Sequence, residues 1–171
     1  MGSVQTVREQ AVHLPRSFFG FKKPAGKPIE KGPDEFGSTP NSRGFAALLA
    51  AFRSTGGTLR GDEFAQLFAD RGHDDIAALA RRLVAGEIFS FEWHNTSWVP
   101  MFQFDYPTLA VKPGARHVLL ELAGVFDGWM LAAWLAQPNS WLTGARPVEL
   151  LASNQKAVLA AAQADRTIAL G

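Results

Sequence analysis

The chain has 171 residues and a mass of 18.6 kDa, with 47% hydrophobic and 19% charged residues, which suits one compact domain or two small modules sharing a core. It holds no cysteine, so disulfide frameworks, thiolate zinc sites and cysteine nucleophiles are excluded. A balance of 17 basic against 16 acidic residues gives a formal charge of +1, which argues against a strongly basic nucleic-acid coat or an acidic tail.

Residues 1–41 read as a flexible proline-rich arm. They carry Pro15, Pro24, Pro28, Pro33 and Pro40, and proline and glycine interrupt every helix that could start there. Phe18, Phe19 and Phe21 are costly to leave in water, so they are expected to pack on the body of the chain or on a partner. The opening MGSVQTVREQAVHLPRS lacks the apolar core of a secretory signal, and no apolar run approaches the roughly 20 residues that span a bilayer. The expectation is a cytoplasmic protein without membrane contact.

From Ser42 the pattern becomes amphipathic. Phe45, Leu48, Leu49 and Phe52 share one helical face, and the glycines of STGG (54–57) stop that helix. Phe64, Leu67 and Phe68 mark a second helix over about 61–70. Asp74 or Asp75 is a cap for a third, which buries Ile76, Leu79, Ala80 and Leu83 and ends at Gly86. Alternation over 88–93 predicts a strand. HNTS (94–97) is turn chemistry, and Trp98 to Phe104 is a returning strand with Pro100 at an edge or bulge. The remainder is helical. Pro113-Gly114 opens a helix carrying Val118, Leu119 and Leu122. Asp127 caps GWMLAAWLAQ, Pro147 starts VELLA, and Asn154 caps the last helix. The fold class is mainly α: a three-helix winged-helix-like module with a β-hairpin over 42–106, packed on a helical bundle over 107–171.

A winged helix would place the third helix in a DNA major groove, with Arg60, Arg81 and Arg82 as the basic contacts. The charges oppose strong binding. Asp74 and Asp75 stand at the head of that helix, and residues 42–92 hold six basic and seven acidic side chains. DNA binding is expected to be weak or absent.

No catalytic motif is present. His13, His73, His94 and His117 show no zinc-binding spacing, and no GxSxG, Walker A or GxGxxG occurs. Glu92 and Asp105 could face one another across the hairpin, but carboxylates on a solvent face are commoner than an acid–base pair, and no nucleophile lies nearby. The reading is a non-enzyme without a cofactor or metal.

The most particular stretch runs from Trp134-Leu135 through Pro138-Asn139, Leu142, Gly144 and Pro147 to Leu150-Leu151. Pro138-Asn139 stops one helix, Leu142 plugs the core, Gly144 permits a positive φ and Pro147 restarts a helix. This run, with the helix after Ser153, resembles the C-terminal toxin-binding domain of the MbcA/ParS/Xre antitoxin family over about residues 115–171. The resemblance implies a small helical bundle that binds and neutralises a RES-type, NAD-consuming toxin, and commonly a homodimer. The implied partner-binding residues are Trp134, Pro138, Asn139, Trp141, Leu142, Gly144, Arg146, Pro147, Asp165 and Arg166. Of these, Arg146, Asp165 and Arg166 are expected to be exposed polar contacts. Ala161, Ala162 and Ala164 would let either a partner's backbone or the chain's own bundle approach closely. Against the family pattern, the upstream part carries the proline-rich arm and a hairpin rich in Trp and Phe. Rival readings are a winged-helix transcriptional regulator and an orphan dimeric scaffold.

Overall fold

The computed structural model describes residues 36–37, 39–72 and 76–171. Among these described residues seven α-helices and three short strands follow in order: α1 (Ser42–Phe52), β1 (Thr58–Arg60), α2 (Gly61–Asp70), α3 (Ile76–Val84), β2 (Phe91–Trp93), β3 (Thr96–Pro100), α4 (Pro113–Leu122), α5 (Gly128–Ala136), α6 (Pro147–Leu150) and α7 (Gln155–Leu170). Short 3-10 turns at Arg53–Thr55, Met101–Gln103 and Ser140–Leu142 join them.

Local chemistry sets most boundaries. The side chains of Asn41, Asp127 and Asn154 accept from backbone N–H groups at the starts of α1, α5 and α7, satisfying donors that the helix itself leaves over. Pro113 and Pro147 occupy first-turn positions of α4 and α6, where a missing N–H costs nothing. The predicted caps Asp74 and Asp75 lie outside the described residues, as do His13, His73, Phe18, Phe19, Phe21 and most of the predicted arm. The arm's last part is not a free tail. Phe36 is buried, and the Trp129 indole N–H reaches the carbonyls of Phe36 and Gly37, each at 3.3 Å.

The sheet is antiparallel with order β1-β3-β2. Its hairpin turns at His94-Asn95, both at positive φ, with Trp93 opposite Thr96. That two-residue turn matches the strand twist, and it is shorter than the expected HNTS. β1 is an addition to the expected hairpin. With three residues and a single large apolar side chain it gives no periodic signal, and it forms because β3 offers it an edge.

Both hairpin strands are shorter than expected. Ile88, Phe89 and Ser90 are all buried and do not alternate, because Ile88 enters one apolar cluster while Phe89 enters the other. The fully buried Gln103 substitutes for a strand neighbour there. Its Oε1 accepts from Phe89 N–H at 2.9 Å, and its Nε2 donates to the carbonyls of Phe89 and Pro100 at 2.8 and 2.9 Å. β3 ends at Pro100, and residues 101–103 form a 3-10 turn. Asp105 therefore lies beyond the hairpin. Its carboxylate accepts from the Thr108 hydroxyl at 2.9 Å, while Glu92 stands opposite Ser97, so the two carboxylates do not meet across the strands.

The smaller cluster joins α2, α3 and β3 through Phe64, Phe68, Leu79, Leu83, Val99 and Phe104. The larger runs from Phe36 and α1 through Phe89 and Phe91 into α4, α5 and α7. It draws on both sides of residue 107, so the two expected modules share one core. Gly128 is the point of closest approach: a Cβ there would lie 2.2 Å from the carbonyl oxygen of Ser90, so only glycine lets α5 start against that segment.

Candidate functional site: the turn between α5 and α6

Between α5 and α6 the chain makes a tight turn over 137–146. Proline at 138 cannot continue the helix, and α5 ends with Gln137 as its C-cap. Asn139 then organises the turn. Its side chain accepts from Trp141 N–H at 2.9 Å, and its carbonyl accepts from Leu142 and Gly144 N–H at 3.0 and 2.9 Å. Thr143 and Gly144 both take positive φ, 55° and 86°, which reverses the chain. Gly144 has the expected conformation, whereas Thr143 bears a Cβ in a region such residues rarely adopt. Leu142 and Val148 are buried below the turn.

The anchor of the site is Asp165, in the third turn of α7 and only 2% exposed. Its Oδ2 accepts from Trp134 Nε1 at 2.7 Å and from Asn139 Nδ2 at 3.0 Å, and its Oδ1 accepts from Trp141 Nε1 at 3.1 Å. One carboxylate thereby ties the end of α5, the turn and the last helix together. Hydrogen bonds to an ionised acceptor are worth about 1.5–3 kcal/mol each, and a buried donor left without its partner costs about 1–3 kcal/mol.

The expected partner-binding residues divide into two groups. Trp134, Asn139, Leu142, Pro147 and Asp165 are buried and hold the turn. Pro138, Trp141, Gly144, Arg146 and Arg166 are exposed on and beside it. Asp165 corrects the expectation of an exposed polar contact: it lies on the Val158–Ala161–Ala162 face, where burial is sustained by the three N–H donors. Ala161 and Ala162 are also buried, so the small side chains serve the close packing of α7 in its own bundle. Arg146 pairs with Glu149 at 3.4 Å and Arg166 with Glu121 at 2.9 Å, both at the surface.

Trp141 is the most distinctive of the exposed group. The residue is 56% exposed, while its polar N–H is already bonded to Asp165. The side chain is held in one orientation with its apolar surface presented outward. Ile168 and Leu170 are likewise exposed near the end of α7. Two signals in the sequence point to the lock: an isolated acid on the apolar face of an alanine-rich helix, and two tryptophans near one turn whose indole N–H groups need acceptors when buried.

On the other module Arg60, Arg81 and Arg82 are exposed, and Arg60 pairs with Asp62 at 3.3 Å. Arg81 and Arg82 sit in the last turn of α3, and the residues just before that helix lie outside the described residues. Among the described residues there is no group of three or more His, Asp or Glu placed to hold a metal ion, and no helix long and apolar enough to cross a membrane. No family model matches the chain, and neither a curated protein nor a solved structure matches it.

Proposed function

We propose that the chain is a non-catalytic, antitoxin-like protein that binds and neutralises a RES-type, NAD-consuming toxin through its C-terminal helical part. The sequence run from Trp134 to Leu151 resembles the toxin-binding domain of the MbcA/ParS/Xre antitoxins. The observation that carries the reading is that this run, together with Asp165, forms one cross-linked turn that presents Trp141 with its N–H already satisfied. A rigid exposed tryptophan loses little conformational freedom on binding, and tryptophan is the residue type most enriched among interface hot spots. Co-expression tests the reading. With a RES-type toxin, the full chain should restore growth and cellular NAD and should co-purify with the toxin. Unrelieved toxicity and no complex would reject it.

A second reading is favoured by topology. The order α1-β1-α2-α3-β2-β3 with the antiparallel sheet order β1-β3-β2 supports a winged-helix reading of this part. In this reading α3 and the His94-Asn95 turn would face DNA, with Arg81 and Arg82 as contacts. The excess of acidic over basic side chains in 42–92 makes it the weaker one. Titration against the upstream region of its own gene separates the two readings: sub-micromolar, sequence-selective binding at physiological salt belongs to the regulator alone.

A further inference from the structure

A cleft of about 470 Å³ opens between the α2–α3 module and the start of α4, lined by Phe68, Arg82, Glu87, residues 109–111, Pro113 and Arg116. It lies at the end of α4 opposite to Glu121, which reaches Arg166, and so away from the α5–α6 turn. Its size falls in the range of small-molecule sites.

The walls are preformed. On one side, the loop 105–111 is closed by Asp105 N–H to the Ala110 carbonyl at 2.8 Å and Leu109 N–H to the Asp105 carbonyl at 2.7 Å. Arg71 clamps this loop from the end of α2, reaching the carbonyls of Tyr106 and Pro107 and lying over the Tyr106 ring. Leu109 is held at φ 52° although leucine disfavours that region, and its side chain is almost fully buried. Such a conformation persists only where the surroundings enforce it, and such residues cluster at ligand-binding sites.

The charges are unequal. Glu87 bonds Arg116 at 2.6 Å, and the nearby Arg82 also acts on it electrostatically. Two guanidinium groups face one carboxylate, which leaves one positive charge beside the accessible apolar surfaces of Ala110, Val111 and Pro113. Among the described residues the Arg82 guanidinium makes no hydrogen bond or ion pair, while its carbonyl accepts from Glu87 N–H at 2.9 Å. Glu87 takes one N–H of Arg116 and leaves the other donors of that fork available.

We propose that this cleft binds a small amphipathic carboxylate, whose anionic head is held by Arg82 and Arg116 and whose apolar body lies against Ala110, Val111 and Pro113. A monoanion matches the residual charge. A phosphate dianion would overcompensate it beside Glu87. A carboxylate also fits the planar guanidinium fork.

The test is calorimetric titration of the full chain with octanoate, with octanol and inorganic phosphate as controls. Octanoate should bind in a saturable one-to-one manner, and octanol and phosphate at least tenfold more weakly. Arg82→Gln should weaken octanoate roughly tenfold through loss of a charged hydrogen bond, without lowering the melting temperature. Ala110→Phe, which fills the cleft from an exposed position, should abolish binding. Equal binding of octanol or phosphate would overturn the proposal, as would octanoate affinity unchanged by Arg82→Gln. Because the cleft and the α5–α6 turn are separate, neither result bears on toxin binding.

Discussion

The indole N–H of Trp134 donates to the carboxylate of Asp165 at 2.7 Å, joining α5 to the last helix across thirty-one residues of chain. Asn139 and Trp141 donate to the same carboxylate, so the geometry of the turn depends on a group that lies far from it in sequence. Asp165→Asn keeps the volume but introduces an amide N–H₂ among three N–H donors. The expected loss is about 2–3 kcal/mol of stability, which is roughly a 5–10 °C fall in melting temperature for a domain of this size. Tryptophan fluorescence during denaturant unfolding measures it, and an unchanged midpoint would show that the bonds contribute nothing net.

Gln103→Leu removes the side-chain amide that pairs with the backbone of Phe89 and Pro100. It leaves a buried N–H and two carbonyls short of a partner, so destabilisation of about 2–4 kcal/mol is expected. Hydrogen exchange should show accelerated exchange at Phe89 N–H, while the amides inside α7 change only with global stability.

Gly128→Ala places a methyl group where Ser90 carbonyl oxygen already lies. The start of α5 must then move away from the strand segment, at a cost of about 2 kcal/mol or more. Thermal unfolding of this variant should begin well below that of the parent, in spite of the higher helix propensity of alanine.

The Glu87–Arg116 pair predicts a defined pH dependence. The hydrogen bond from Arg116 is the main influence on the Glu87 carboxyl and holds it below its ordinary value of 4.5; burial opposes this, while the charges of Arg116 and Arg82 add to it. A depressed acid contributes stability that is fully present above the unfolded-state value and is lost as pH falls through the folded-state value. The difference in melting temperature between the parent and Arg116→Gln should therefore be largest near pH 7 and shrink below about pH 4. A difference that grows with acidity would refute the sign.

Helix boundaries were legible where a local residue decides them. Asp127 and Asn154 bond to backbone within three residues of themselves, and Pro113 and Pro147 act on their own N–H, whereas the Asn41 cap emerged only in the structure. The positive φ of Gly144 was legible for the same reason. Long-range pairing was not. β1 exists only because β3 supplies an edge, and the non-alternating burial of 88–90 requires two clusters on opposite sides and the amide of Gln103. The resemblance drew attention to both the α5–α6 turn and Asp165, but exposure was misassigned because an aspartate is ordinarily at the surface. Its burial becomes reasonable only when Trp134, Asn139 and Trp141 are seen to converge on it.

Affinity for a RES-type toxin reads out the surface that Trp141 presents. Trp141→Ala, compared with the parent by calorimetry on the purified full chain, should weaken binding by about thirtyfold or more, the loss expected of an interface hot spot. The variant should remain folded with an unchanged helical circular dichroism spectrum, because the exposed ring contributes little to the core and two donors to Asp165 remain. Affinity equal to that of the parent in a folded Trp141→Ala protein, or no binding of the parent itself, would rule out toxin binding through this turn.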